Sequence, residues 1–204
     1  MSIIYHEGCR RLQDQFDSRR IADRLEQVTA RKAFTDDDKA FIESRIFFFL
    51  ATATREGYPT CNLKGGPAGF VRVAAPDELA FPDYDGNGMF LSLGNIATNP
   101  RIGLLFIDFE KPKRLRVEGV ASVSADDPLI KHTVGAQLMV RMQVRAIFPN
   151  CPRYIPTMKL IEPSLYAPRE GFDAPEPVWK SFPEFKDAVH PRQRTYGEVE
   201  KQVT

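Results

Sequence analysis

Two late segments of the chain alternate with period two. In residues 114–124, Leu115, Val117, Gly119, Ala121 and Val123 alternate with Arg116, Glu118, Val120 and Ser122. In residues 137–148, Leu138, Val140, Met142 and Val144 alternate with Met139, Arg141, Gln143 and Arg145. A strand turns successive side chains to opposite faces, so such runs bury one row and wet the other, as antiparallel strands of a sandwich or barrel do. Earlier segments read the same way: "RIFFFLATAT" and "TCNLKGG" flank the turn "REGYP", and further strands are expected at 70–74, 78–81 and 101–109. No strand–helix–strand rhythm recurs, and neither GxGxxG nor GxxxxGK[ST] is present, which excludes Rossmann and P-loop readings. The pattern predicts a mainly β fold with added α-helices, an antiparallel barrel that closes its own edges.

The flanks differ from this centre. Leu12, Phe16, Ile21, Leu25 and Val28 recur near one face of an amphipathic helix over 10–28. Thr35 followed by Asp38 resembles a capping box opening a second helix through Arg45. From Pro149 onward, prolines at 152, 156, 163, 168, 175, 177, 183 and 191 argue against long regular elements. At 204 residues one domain with appendages is expected: a helical extension over 1–45, the barrel over 46–156, and a proline-rich tail over 157–204 that packs on the barrel or a partner.

With 28 Lys plus Arg against 27 Asp plus Glu, the formal charge is +1, and no large field draws the chain to nucleic acid or an anionic membrane. The longest apolar run, Ile46 to Ala51, is far below the ~20 residues that span a bilayer, and the start "MSIIYHEGCRR" lacks a leader's pattern, so a cytoplasmic protein is expected. Cys9, Cys61 and Cys151 have no CxxC spacing and read as reduced thiols; His6, His132 and His190 lie far apart, so no metal site is expected.

Three loops are rich in glycine and polar groups. Lys64-Gly65-Gly66-Pro67-Ala68-Gly69 suits a phosphate, through exposed amides and a cation, and equally suits a glycine hairpin with a solvated lysine. Asp85-Gly86-Asn87 fits an Asx-type turn, in which Asn87 meets a ring edge or polyol chain or simply closes the turn. Ser92 to Pro100 opens a short helix whose amides face an anion, or Asn95 merely satisfies a loop.

In order, "FFFLATATREGYPTCNLKGG", "GFVRV", "LAFPDYDGNGMFLSLGNIATNPRIGLLFIDF", "RLRVEGVASV" and "IFPNCPRYIP" resemble the flavin-binding split-barrel proteins related to pyridoxamine 5'-phosphate oxidase, in the branch of predicted flavin-nucleotide-binding proteins. The resemblance covers roughly residues 40–156. It implies a six-stranded antiparallel split barrel, a homodimer, and FMN in the clefts between subunits. On this resemblance Thr60, Cys61, Asn62, Leu63 and Lys64 run along the flavin to its phosphate, and Phe81, Pro82, Asp83 and Tyr84 lie beside the ring and ribityl chain. A strand of the partner carrying Arg114 and Arg116 approaches the ring, where a cation would stabilise reduced flavin. Outward charges on a strand's wet face are the plainer role for these arginines.

The match also departs from the family's form. Counting back from Asn99-Pro100, Ser92 takes the place of a phosphate-gripping lysine, and the Asp85-Gly86-Asn87 loop is added. The phosphate site is therefore either rebuilt, with Lys64, Ser92 and Asn95 sharing the task, or weakened; Asn87 of the added loop is also a candidate contact. No Arg-x-His occurs in the C-terminal "WKSFPEFKDAVHPRQRTYGEVEKQVT", so oxidation of pyridoxamine phosphate itself is not expected. The readings are an FMN-dependent oxidoreductase acting on a small-molecule redox substrate, a flavin-binding or flavin-sequestering module without turnover, or a related barrel holding haem or a deazaflavin.

Overall fold

The structure, a computed structural model, describes residues 2–189. Two compact units divide the chain, Met1–Pro163 and Ser164–Thr204. Among its described residues the second carries a short 3-10 turn, Val178–Ser181, an isolated bridge between Arg169 and Phe172, and otherwise turns and irregular proline-rich segments. His190 and the arginines after it lie outside the described residues.

Seven strands form the first unit's sheet: β1 (Phe47–Ala53), β2 (Pro59–Gly65), β3 (Arg72–Ala75), β4 (Glu78–Tyr84), β5 (Arg101–Asp108), β6 (Lys113–Ser124) and β7 (Ala136–Pro149). Their order across the sheet is β2-β1-β5-β6-β7-β4-β3, and every registered pair is antiparallel. The mainly β, antiparallel expectation holds, and each strand read from the residues is present. The six-stranded closed barrel is corrected: the sheet has seven strands and stays open, with β2 and β3 as its margins. The seventh is the short β3, which pairs with β4 only over Glu78 to Ala80. Pro82, which has no N–H to offer, stands in the half of β4 that β3 does not reach, as prolines in sheets usually do.

The open sheet nevertheless curls over one core. Phe48 on β1 meets Phe81 on β4 with ring centroids 5.0 Å apart, although three strands lie between them in the sheet order. Phe106 of β5 and Phe70, just before β3, complete the cluster at 5.3 Å and 5.9 Å. Both period-two strands bury most of the predicted rows, Leu115, Val117 and Ala121 from β6 and Val140, Met142 and Val144 from β7, but at the start of β7 Met139 of the opposite row is buried as well and Leu138 only partly. Gly119 falls at a register shift between β6 and β7, and a Cβ there would stand 2.1 Å from the Gln143 carbonyl oxygen. Only glycine allows the two backbones to approach so closely.

The predicted helix over 10–28 is corrected to two, α1 (Glu7–Gln15) and α2 (Arg19–Thr29). Between them Asp17 takes a left-handed φ of 47°, which a continuous helix cannot hold. The apolar stripe is not what α2 buries. Leu12, Phe16, Ile21, Leu25 and Val28 are all at least half exposed, while Ala22 is the buried position. The second predicted helix is α3 (Asp36–Glu43), which delivers Phe41 and Ile42 to the core. Its capping box is complete: Thr35 Oγ1 accepts from Asp38 N–H, and Asp38 accepts from Thr35 N–H. Arg31 donates to both oxygens of the same carboxylate at 2.8 Å.

Gly119→Ala is expected to cost at least about 2 kcal/mol through overpacking against β7, lowering Tm by roughly 4–8 °C in thermal denaturation. Gly103→Ala, whose added Cβ would meet only Ala51 at 4.0 Å, serves as the control that leaves Tm nearly unchanged.

Candidate functional site

The curl brings one margin of the sheet to the unpaired half of β4, and polar side chains line this seam. Lys64 of β2 stands 3.3 Å from Asp83 Oδ1 on β4. Gln137, at the start of β7, donates to Asp83 Oδ2 at 2.9 Å and to the Tyr84 carbonyl at 3.1 Å. Asp83 is thus buried with both carboxylate oxygens engaged.

A fourth helix, α4 (Leu91–Thr98), packs against β1 and β6 and reaches β2 through Asn95. Asn95 donates to Thr52 Oγ1 at 2.9 Å and to Thr60 Oγ1 at 3.2 Å, and those hydroxyls lie 2.8 Å apart. Further along, Asn99 donates to the Thr54 carbonyl. Since Thr54 neighbours the hairpin end and Thr52 pairs with Thr60, the helix runs back along the strands. At about 1.5 Å per helical residue and about 3.3 Å per strand residue, its N-terminus comes level with Asn62, one inward position before Lys64.

That N-terminus is uncapped. Phe90 at the N-cap has a left-handed φ of 49° and makes no side-chain cap, and no acidic residue sits in the first turn. The first intrahelical amide donor there is Gly94, to the Phe90 carbonyl, so the amides of Leu91, Ser92 and Leu93 have no backbone acceptor among the described residues. Three N–H groups without a backbone acceptor at one helix end make a donor set chemically suited to an anion.

Other sequence-predicted residues have different roles. The glycine loop after Lys64 is no cradle: Gly66 N–H donates to Ile46 O and Gly69 N–H to Glu43 O, and a Cβ on Gly66 would strike the Phe70 ring at 2.7 Å. Its glycines serve packing and a turn. Asn87 forms the Asx turn, its Oδ1 accepting from Met89 N–H at 3.1 Å, on an exposed loop. Phe81 faces the core, and Pro82 is buried beside it.

Strand alternation divides the rest. Thr60, Asn62 and Lys64 share the inward side of β2, whereas Cys61 and Leu63 are exposed on the outer side. Arg116 is also on the outer side, alternating with core Leu115 and Val117 and paired with Leu105 of β5. Three strand spacings, about 14 Å of sheet, separate its strand from β2. Arg114 donates to Asn150 Oδ1 at 2.6 Å, while Arg116 has no hydrogen bond or ion pair among the described residues. Sequence reasoning missed Thr52 and Gln137. Thr52 did leave a signal, being a hydroxyl on the inward row of the apolar run Phe48, Leu50, Thr52; Gln137 left none.

Fold and seam together define an antiparallel split-barrel protein with a polar seam of Lys64, Asp83 and Gln137 where β2 meets β4. The chain belongs to the pyridoxamine 5'-phosphate oxidase family, whose model matches residues 34–162, more than half of its length. No curated protein matches it. Among solved structures it is similar to HupZ of Group A Streptococcus, at 18% identity over 57% of this chain and 93% of that one, with a TM-score of 0.48. A Lactobacillus delbrueckii protein assigned as a pyridoxamine 5'-phosphate oxidase gives 20% identity over 59% and 99%, TM-score 0.47. The haem storage protein HutZ from Vibrio cholerae gives 19% over 55% and 91%, TM-score 0.42. Among the described residues no helix is long and apolar enough to cross a membrane, and no cluster of three metal-ligating side chains occurs.

Beside the seam, burial pushes the Tyr84 phenol up to about 12, partly offset by Arg72. A raised phenol favours the neutral form in the folded state, so its contribution to stability is complete below the ordinary value of about 10 and is lost as pH rises through about 12. Ultraviolet titration is expected to show a late tyrosinate step near pH 12 that Tyr84→Phe removes.

Proposed function

We propose that the chain is an FMN-binding protein, and that it works as a homodimeric, flavin-dependent oxidoreductase whose cleft lies between two subunits. The observation that carries this reading is the uncapped N-terminus of α4, level with Asn62, in a chain of the pyridoxamine 5'-phosphate oxidase family. The donor set fits the cofactor's phosphate: the amides of Leu91, Ser92 and Leu93 offer oriented donors, while Lys64 is already paired with Asp83 and adds little net charge. Asn62 and Tyr84 supply polar partners along the cleft toward the ring.

Arg116 supports the two-subunit form. It lies on the outer face, across the sheet from the cleft, so it reaches a ligand there only from a second copy. The same outer face carries Leu63 and Val120, both about half exposed or more, and the half-buried Phe49 and Leu105. This apolar surface suits contact with a second copy.

FMN, when bound, supplies hydride and single-electron chemistry. The chain's part is to anchor the phosphate at α4, to place a cation by the ring through Arg116 of the second copy, and to exclude water at the seam. Tyr84 remains a neutral phenol at physiological pH, able to donate a hydrogen bond but not to act as a base. A small-molecule redox partner completes the reaction.

Leu91→Asp tests the anchor. Leu91 is exposed in the first helical turn, so a carboxylate there favours the helix and repels a phosphate. Flavin fluorescence titration is expected to show FMN affinity falling about tenfold or more with Tm kept. Co-expression of Leu91→Asp with Arg116→Ala tests the shared cleft. Mixed dimers are expected to keep one unaltered site and bind half the wild-type FMN tightly. Mixed dimers no better than the two parents, or a monomer that binds FMN tightly, would contradict the proposal.

A further inference from the structure

The cation expected to meet a phosphate already has a carboxylate. Lys64 Nζ lies 3.3 Å from Asp83 Oδ1, with the two side chains only 24% and 10% exposed. The carboxylate is not free to swing aside, because Gln137 holds its second oxygen at 2.9 Å and is itself fixed by the Tyr84 carbonyl at 3.1 Å. A phosphate drawn to Lys64 therefore meets a fixed negative charge beside the positive one, in a site where water screens both poorly.

We infer that Asp83 is a specificity-determining residue, one that holds Lys64 and so weakens the cleft's preference for a phosphorylated ligand over the same ligand without phosphate. The inference rests on the flavin reading above. The amides of α4 remain the uncontested phosphate donors, and the Lys64–Asp83 pair, neutral as a unit, adds little to phosphate binding until the carboxylate is removed. The uncharged ring and ribityl chain respond far less than the phosphate to the charge of the pair. The cleft is thereby tuned to accept riboflavin and FMN with affinities closer together than a free lysine would permit.

FMN and riboflavin differ only in the phosphate, so the ratio of their Kd values reads the phosphate's contribution alone. Full-length protein, stripped of bound flavin, is titrated with each by flavin fluorescence, as wild type and as Asp83→Asn. The variant is expected to raise the preference for FMN by about fivefold or more, by tightening FMN and leaving riboflavin unchanged. Adding Lys64→Gln to Asp83→Asn is expected to cancel that gain. An unchanged ratio overturns the inference, and so does a parallel loss of both flavins, because the carboxylate then grips a part that they share. Should Asp83→Asn fail to fold by circular dichroism, Asp83→Ser carries the same expectation. Failure of wild type and variants alike to bind either flavin overturns the flavin reading and this inference with it, an outcome distinct from binding with an unaltered ratio.

Discussion

Phe48 meets three other rings, and the site depends on that contact. Phe70, Phe81 and Phe106 come from segments spread across the sheet order, so their clustering forces the sheet to curl until β1 and β4 face each other over the core. Each buried aromatic removes a large apolar area from water, which sets the scale of the force that holds the curl. Hydrogen bonding alone does not close the sheet. The margin at β2 and the unpaired half of β4 are left to meet through side chains, and Lys64 with Asp83 bridges them.

The seam is where the fold leaves polar groups available. Elsewhere several polar clusters are satisfied locally: the capping box of α3, the Asn95–Thr52–Thr60 cluster, and Asp127, which the Arg141 guanidinium holds below the usual carboxylate range. At α4 the amides of the first turn have no side-chain cap. An uncapped helix end departs from the rule that helix ends are satisfied within the chain, and such departures concentrate where a ligand completes the set.

Much of this was legible in the residues. Period two in 114–124 and 137–148 gave most of the buried rows, and seven strand segments could be read where the family resemblance implied six. The same alternation separates Thr60, Asn62 and Lys64 from Cys61 and Leu63, a division that five consecutive site residues overlook. Long-range pairing was not legible. Nothing local tells that Lys64 meets Asp83, 19 residues on, or Gln137 meets Asp83, 54 residues back. Nor does it tell that the glycine loop's amides turn inward to Ile46 and Glu43. The break at Asp17 was hidden because a left-handed aspartate leaves the apolar periodicity intact on either side.

Identification of the chromophore addresses the central claim, that the seam holds a phosphate-bearing flavin. The visible absorption spectrum of untagged, purified protein would be recorded, and any ligand released by denaturation identified by mass. The account predicts two flavin bands and released FMN. A haem spectrum, or a colourless protein that fails to take up added FMN, would contradict it.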